Sequence, residues 1–377
     1  MKDFLVKYAV DIKNYLELSH GPGARADYVQ GGGGNTSVKF DNGLMAIKAS
    51  GFKLSQIQKD NGYAVLDYRK IRDFYMSNQP DDFEDIEASG SAVAKENVVE
   101  VEGIPVLRPS VEAGFHSIMD KFVLHTHPVY ANMAACSKEG LDIIARVLKD
   151  KDYEFAYVNY INPGVNLTFS IRDEMDKVQE RTGKRPAVIF MQNHGFIVTH
   201  DDYKTCVAIH DEVNELMASA FGVGISDFPE IKLIELSLSD EDSNSSADKL
   251  YISETGWVKE QVKVKEHDIA YFCDKSLYPD QMVFLQGNLT ILDGPLPEDK
   301  SKWAQNKCTI YKGSGDVVYN CGFDQAQTIE ETLAAVTFIT VNIQKSGYEV
   351  ITMDEAGKDF IANWESEKYR KSLLTDK

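Results

Sequence analysis

Excess positive charge is what this 377-residue chain lacks most: 40 Lys and Arg stand against 59 Asp and Glu, a formal net charge of −19 at pH 7. Nucleic acid and anionic membrane surfaces both need a basic face, so neither is an expected partner. An anionic substrate would need local positive potential against that background. Cysteine is scarce as well. The five, Cys136, Cys206, Cys273, Cys308 and Cys321, form no CxxC pair, and an odd number leaves at least one thiol free within the chain. A reduced, cytoplasmic protein is the simpler expectation. Asp3, Lys7 and Asp11 interrupt the first apolar residues, which leaves no signal-peptide core, and no later apolar run approaches the roughly 20 residues of a membrane span. Phosphate-loop chemistry is missing too: Gly31-Gly32-Gly33-Gly34 is followed by strand-like Val38-Lys39-Phe40, not by Gly-Lys-Ser/Thr and a helix. These glycines suit a tight turn that exposes amides and the Asn35 side chain to a ligand.

The length exceeds what one core usually fills, so two domains are expected. Phe4, Leu5, Tyr8, Ile12, Tyr15 and Leu16 have helical spacing, and Gly21-Pro22-Gly23 reads as the stop. Asp41-Asn42-Gly43 between two short apolar runs predicts a hairpin. Tyr63 to Leu66 reads as a strand, Tyr68 to Met76 as a helix, and 79–91 as an acidic surface loop. Beyond it, Ala113 to Met119 reads as a short helix, Phe155 to Ile161 as a strand, Arg172 to Arg181 as a helix, Ala187 to Met191 and Phe196 to Thr199 as strands, and Tyr203 to Ala220 as a helix. Short turns outnumber long crossovers, which predicts an α/β fold with a mainly antiparallel sheet. The polar, acidic, serine-rich stretch 237–249 reads as a linker between domains at 1–236 and 250–377. In the second domain 280–285, 308–312 and 316–320 read as strands and 328–344 as a helix. That order echoes 153–220, with Ser314 or Gly315 near the place of His194, as in a degenerate repeat that has lost a metal ligand.

Chemistry concentrates in Val123-Leu124-His125-Thr126-His127-Pro128. On a strand, His125 and His127 point to one side, because side chains alternate with period two. Glu112 precedes them at a helix start, where a carboxylate suits the positive end of the helix, and His194 follows on a loop. Three imidazoles and one carboxylate suit a borderline divalent ion such as zinc, which can polarise a carbonyl and hold developing negative charge. The other histidines, His20, His116, His200, His210 and His267, show no partner pattern and read as structural or exposed.

These residues resemble the class II aldolase/adducin superfamily. Gly34-Asn35-Thr36-Ser37, Ser50-Gly51, Pro109-Ser110-Val111-Glu112, His125-Thr126-His127-Pro128 and Asn193-His194-Gly195 occur in its order over about residues 1 to 220. Lys48-Ala49-Ser50-Gly51, Arg108-Pro109-Ser110-Val111-Glu112, Tyr160-Ile161-Asn162-Pro163-Gly164 and Tyr278-Pro279-Asp280 are most similar to the aldolase part of bifunctional rhamnulose-1-phosphate aldolase/dehydrogenase proteins, without their dehydrogenase domain. The resemblance implies a three-layer α/β/α fold, Zn²⁺ (or another divalent transition metal) on Glu112, His125, His127 and His194, and Glu112 as the proton-transfer residue. It further implies Asn35, Ser50, Gly51 and Ser110 around a substrate phosphate, reversible cleavage of a ketose 1-phosphate to dihydroxyacetone phosphate and an aldehyde, and a homo-oligomer, often a tetramer. Shorter family members often have two serines before the glutamate, and here Val111 takes the second place. A 4-epimerase or a keto-acid-phosphate decarboxylase would use much the same metal site, and an adducin-like scaffold would share the fold without catalysis.

Overall fold

Apolar spacing near the N-terminus produces two helices, Phe4–Lys7 (α1) and Ala9–Gly23 (α2), in this computed structural model, which describes residues 4–237 and 249–363. The expected stop at Gly21 falls inside the last turn of α2. Pro22 there keeps a helix-compatible φ and forfeits one backbone N–H, while Ile12, Tyr15 and Leu18 are buried along the same helix. The Asp41-Asn42-Gly43 turn, with Gly43 at φ +87°, then folds Asn35–Lys39 (β1) onto Leu44–Lys48 (β2). Tyr63–Asp67 (β3) and Tyr68–Ser77 (α3) follow.

The stretch expected as an acidic loop is instead partly helical, with a 3-10 turn at Pro80–Asp82 and a helix over Ile86–Glu96 (α4). The Asp85 carboxylate accepts from the Ala88 N–H at 2.9 Å and caps that helix, a local signal that the acidic composition hides. Next come Ala113–Ile118 (α5), Phe122–Thr126 (β4), Val129–Ala135 (α6), Gly140–Leu148 (α7) and Phe155–Val158 (β5). Val165–Thr182 (α8), Val188–Met191 (β6), Gly195–His200 (β7) and Tyr203–Ala220 (α9) complete the first unit. Helix α8 begins well before the expected Arg172. Its first N–H groups, Val165 and Asn166, donate to Glu87 at 2.9 and 3.1 Å, a cap supplied from a distant part of the chain.

The first sheet has the order β3-β2-β1-β4-β7-β6-β5, with every pair antiparallel except β5 and β6. Ile47, Leu66, Val123, Ile189 and Ile197 pack on one face with Phe115 of α5, Ile71 and Tyr75 of α3, and Phe169 and Met175 of α8. Helices α2, α6 and α9 pack against β1, β4, β6 and β7, and the alternate residues Leu124, Thr126 and Val198 face the other way. The result is three layers with a mainly antiparallel sheet between helices, as expected.

The chain divides after Ala220, with Cys136–Lys138 assigned to the second unit, so the division comes earlier than the expected residue 236. Leu233–Ser237 (β8) already pairs with Lys249–Ser253 (β9), so the acidic stretch joins two strands of one sheet; its residues 238–248 lie outside the described residues. Gly256–Gln261 (α10) and a π-helical turn at Ala270–Asp274 follow. Pro279–Leu285 (α11) is a helix where a strand was expected: Pro279 takes the first helical position, and all seven residues are buried, so no period distinguishes the two states. Leu289–Leu292 (β10), Cys308–Tyr311 (β11), Asp316–Tyr319 (β12), Phe323–Lys345 (α12) and Glu355–Asn363 (α13) complete the unit. Its sheet has the order β10-β11-β12-β9-β8. No helix among the described residues is long and apolar enough to cross a membrane.

Candidate metal centre

Strand β4 ends at Thr126, so its alternation carries His125 to the α5 face and brings His127 to that side as the strand gives out. The three rings of His125, His127 and His194 converge, with centroids 4.8 to 5.2 Å apart, and one nitrogen from each lies within 4.8 Å of the others. All three are buried. Nδ1 of His125 lies 3.0 Å from the Phe196 carbonyl oxygen, which only accepts. It therefore carries the proton of the neutral ring, which leaves the lone pair of that form on Nε2. That Nε2 lies 3.1 Å from Nε2 of His127 and 3.3 Å from Oε1 of Glu112, which is also 3.9 Å from Nε2 of His194. Acceptor atoms crowded in this way need a cation among them, and imidazole nitrogens with a carboxylate suit a borderline divalent ion.

Backbone geometry delivers His194. Met191 ends β6, and Asn193 turns the chain at φ +52°, a left-handed conformation that asparagine tolerates. Its N–H donates to Ala135 at 3.0 Å, and Gly195 then starts β7. Any larger residue at 195 would meet the site: a Cβ there would lie 2.5 Å from the Thr126 carbonyl and 2.8 Å from Cδ2 of His127. Gly34 plays the same part on the other flank, where a Cβ would lie 2.7 Å from the His125 carbonyl.

Glu112 stands immediately before α5, as its place ahead of Ala113 predicts. Three basic side chains hold the other end of this short helix. Lys39 donates to the carbonyls of His116 and Asp120, Arg72 to those of Ser117 and Met119, and Arg185 to that of Ile118. Burial pushes the Glu112 carboxyl up, but the positive charge and hydrogen bond of a protonated His125, followed by the charge of His194, outweigh it and hold the group well below the usual carboxylate range. His116, one turn further on, is buried, bonds Ser37 through Nδ1 at 2.7 Å, and has no partner for Nε2 among the described residues. Burial lowers its pKa well below the usual imidazole range, so it is neutral here.

Of the residues expected around a phosphate, Asn35 adjoins the histidines directly: it pairs with His125 across β1 and β4 and is buried, with Oδ1 unpartnered among the described residues. Ser50, Gly51 and Ser110 meet at a neighbouring corner. The Ser50 N–H donates to Arg108 at 3.0 Å, its hydroxyl donates to the Pro109 carbonyl at 3.1 Å, and Gly51 turns at φ +88°. The Glu112 N–H donates to the Ser110 hydroxyl at 3.2 Å, which joins this corner to the histidine cluster.

Three residues beside the site were not among the expected site residues. Lys48 is buried and its ammonium donates to Gly32 at 3.2 Å and to Phe52 at 2.8 Å, tying the glycine turn to the Ser50-Gly51 turn. It ends β2 just before the Ser-Gly turn, which was the available signal. His116 lies four residues after Glu112, on one helical face. His210 has no local signal: it is buried on α9, and its Nε2 lies 2.8 Å from the Thr126 hydroxyl, behind the strand that bears His125.

Among solved structures, the N-terminal class II aldolase domain of a conserved protein from Thermoplasma acidophilum is 23% identical, with 55% of this chain and 92% of that chain covered at a TM-score of 0.45. YgbL from Klebsiella pneumoniae, titled a putative aldolase/epimerase/decarboxylase, is 16% identical over 60% and 93% at 0.39, and an L-fuculose 1-phosphate aldolase is 19% identical over 58% and 90% at 0.36. Likenesses at these scores bear no weight on substrate or reaction. A search of curated proteins finds no match. The family described as Class II Aldolase and Adducin N-terminal domain matches residues 23–221, more than half of the chain and the whole span from the glycine turn to α9, and the protein belongs to that family.

Proposed function

We propose that the protein is a zinc-dependent aldolase that reversibly cleaves a ketose 1-phosphate into dihydroxyacetone phosphate and an aldehyde. The convergence of His125, His127, His194 and Glu112 carries this reading. A scaffold without catalysis has no use for four such groups at one buried point, where each costs desolvation. The three histidines would hold the ion, with Glu112 as a fourth ligand at rest. When bound, a divalent ion supplies a Lewis acid that polarises the ketose carbonyl.

The chain's own groups do the remaining work. Glu112 is held well below the usual carboxylate range, so at neutral pH it is ionised and can accept a proton and return it. Cleavage breaks the bond between C3 and C4 of the ketose as the C4 hydroxyl gives its proton to the ionised Glu112 and C4 becomes the aldehyde carbon. The same proton, passed from Glu112 to C3, completes dihydroxyacetone phosphate. Asn35, Ser50, Gly51 and Ser110 would bind the phosphate through side chains and turn amides, an arrangement suited to an anion in an acidic protein. Lys48, which ties these turns together, adds positive charge at the same place.

The test is cleavage of a panel of ketose 1-phosphates by zinc-loaded protein, by the same protein after chelation, and by His127→Ala. Activity that disappears with the metal and in His127→Ala supports the reading; full activity after chelation overturns it.

A further inference from the structure

The two sheets share one plan. From one edge, β1-β4-β7-β6-β5 and β8-β9-β12-β11-β10 have the same order along the chain and the same sense at each pair: three antiparallel pairings and then one parallel. Register makes the correspondence residue by residue. Val188 pairs with Phe155 and Val198, as Cys308 pairs with Leu289 and Tyr319. Val198 pairs with Leu124, and Tyr319 with Tyr251. Leu124 therefore corresponds to Tyr251, His125 to Ile252, Thr126 to Ser253 and His127 to Glu254. A helix begins two residues later in each case, at Val129 and at Gly256, and packs against the long helix that follows the last strand, α9 or α12. Counted from the preceding strand, His194 corresponds to Ser314.

A buried polar contact supports the match independently of the ladders. The Thr126 hydroxyl meets His210 of α9 at 2.8 Å, and its counterpart Ser253 meets Glu330 of α12 at 2.5 Å. Such a contact is not required by strand order. Where the first unit gathers imidazoles, the second places a cation of its own: Nζ of Lys259, the counterpart of Asn132, lies 3.3 Å from Glu254 and 3.9 Å from Asp316, the counterparts of His127 and Gly195.

We propose that the second unit is a copy of the first unit's five-stranded core in which a lysine–carboxylate cluster has replaced the metal centre. Among the described residues the copy has no counterpart of β2, of β3, of the helix that follows Glu112, or of the helix between the two parallel strands. Those residues therefore include no counterpart of the proton-transfer residue or of the phosphate turns. The chain carries one catalytic unit and one that keeps the architecture alone. This rests on His125, His127 and His194 being the ligands of the first unit, and the test separates the two claims.

Cobalt(II) stoichiometry is measured on the full-length unmodified protein and on a variant combining Ile252→His, Glu254→His, Ser314→His and Lys259→Asn. The expected change is from one bound ion per chain to two, with one remaining when His125, His127 and His194 are replaced by alanine in the variant. An unchanged count in a variant with an unmodified circular dichroism spectrum overturns the copy. A second ion on the unmodified protein also overturns it. No ion on the unmodified protein but one on the variant would defeat the ligand reading and leave the copy standing. If the variant fails to fold, experimental coordinates decide: a second sheet with another order or sense, or no Ser253–Glu330 contact, refutes the proposal.

Discussion

Replacing Gly195 by alanine tests how tightly the site is assembled. Gly195 is outside the left-handed region, so the substitution brings no backbone strain and its effect is steric. The added carbon would lie 2.5 Å from the Thr126 carbonyl oxygen, 2.8 Å from Cδ2 of His127 and 3.3 Å from Cε1 of His125. Carbon–oxygen contacts settle near 3.3 Å or beyond, so β4 and β7 must part by roughly 0.8 Å at this point. Overpacking of this kind costs about 1–3 kcal/mol, which in a unit of roughly 200 residues lowers Tm by about 2–12 °C. The affected atoms belong to two proposed ligands, and a metal site tolerates errors of only about 0.2 Å in its distances. Metal affinity should therefore fall roughly 10- to 100-fold. Calorimetry of the metal-free protein measures the first effect, and competition against a chromophoric chelator measures the second. An alanine variant that melts and binds metal like the unmodified protein would refute this account of why glycine follows His194.

Other consequences are direct. Thr126→Val keeps the shape and removes the hydroxyl that meets buried His210, which should cost about 1–3 kcal/mol in urea denaturation. Glu112→Gln should keep the bound metal, since the histidines remain, and lower kcat by roughly 10²–10⁴ if Glu112 moves the proton; an unchanged kcat assigns that task elsewhere. In the second unit, burial raises the pKa of Glu330 despite bonds from Ser253, Thr255 and Tyr319. A raised carboxyl favours the folded state most while protonated, so its contribution is fully present below the unfolded value of about 4.3 and is lost as pH rises through the folded value. Glu330→Gln should remove that component of the fall in Tm with rising pH, and an unaltered pH profile would contradict it.

The first sheet was largely legible because its signals are local. Asn42-Gly43 marks a hairpin, the apolar residues before His125 mark β4, and Glu112 stands at the start of the short helix read from Ala113. The convergence of the three histidines was legible because His125 and His127 stand two apart where β4 ends and His194 sits on the turn that leads into the neighbouring strand β7. What escaped depends on distant partners. Glu87 caps α8 across the chain, and His210 and Lys48 gain their surroundings only when elements from separate parts of the sequence meet. Helix α11 was misread as a strand because burial on every side erases periodicity. The acidic stretch looked like a linker on composition, but β8 lies before it and pairs beyond it.

Product analysis of zinc-loaded protein incubated with ketose 1-phosphates decides whether the protein is an aldolase. Dihydroxyacetone phosphate and an aldehyde should form in equal amounts. Turnover that yields an epimer without fragments, or carbon dioxide from a keto-acid phosphate with no ketose cleavage, would contradict it.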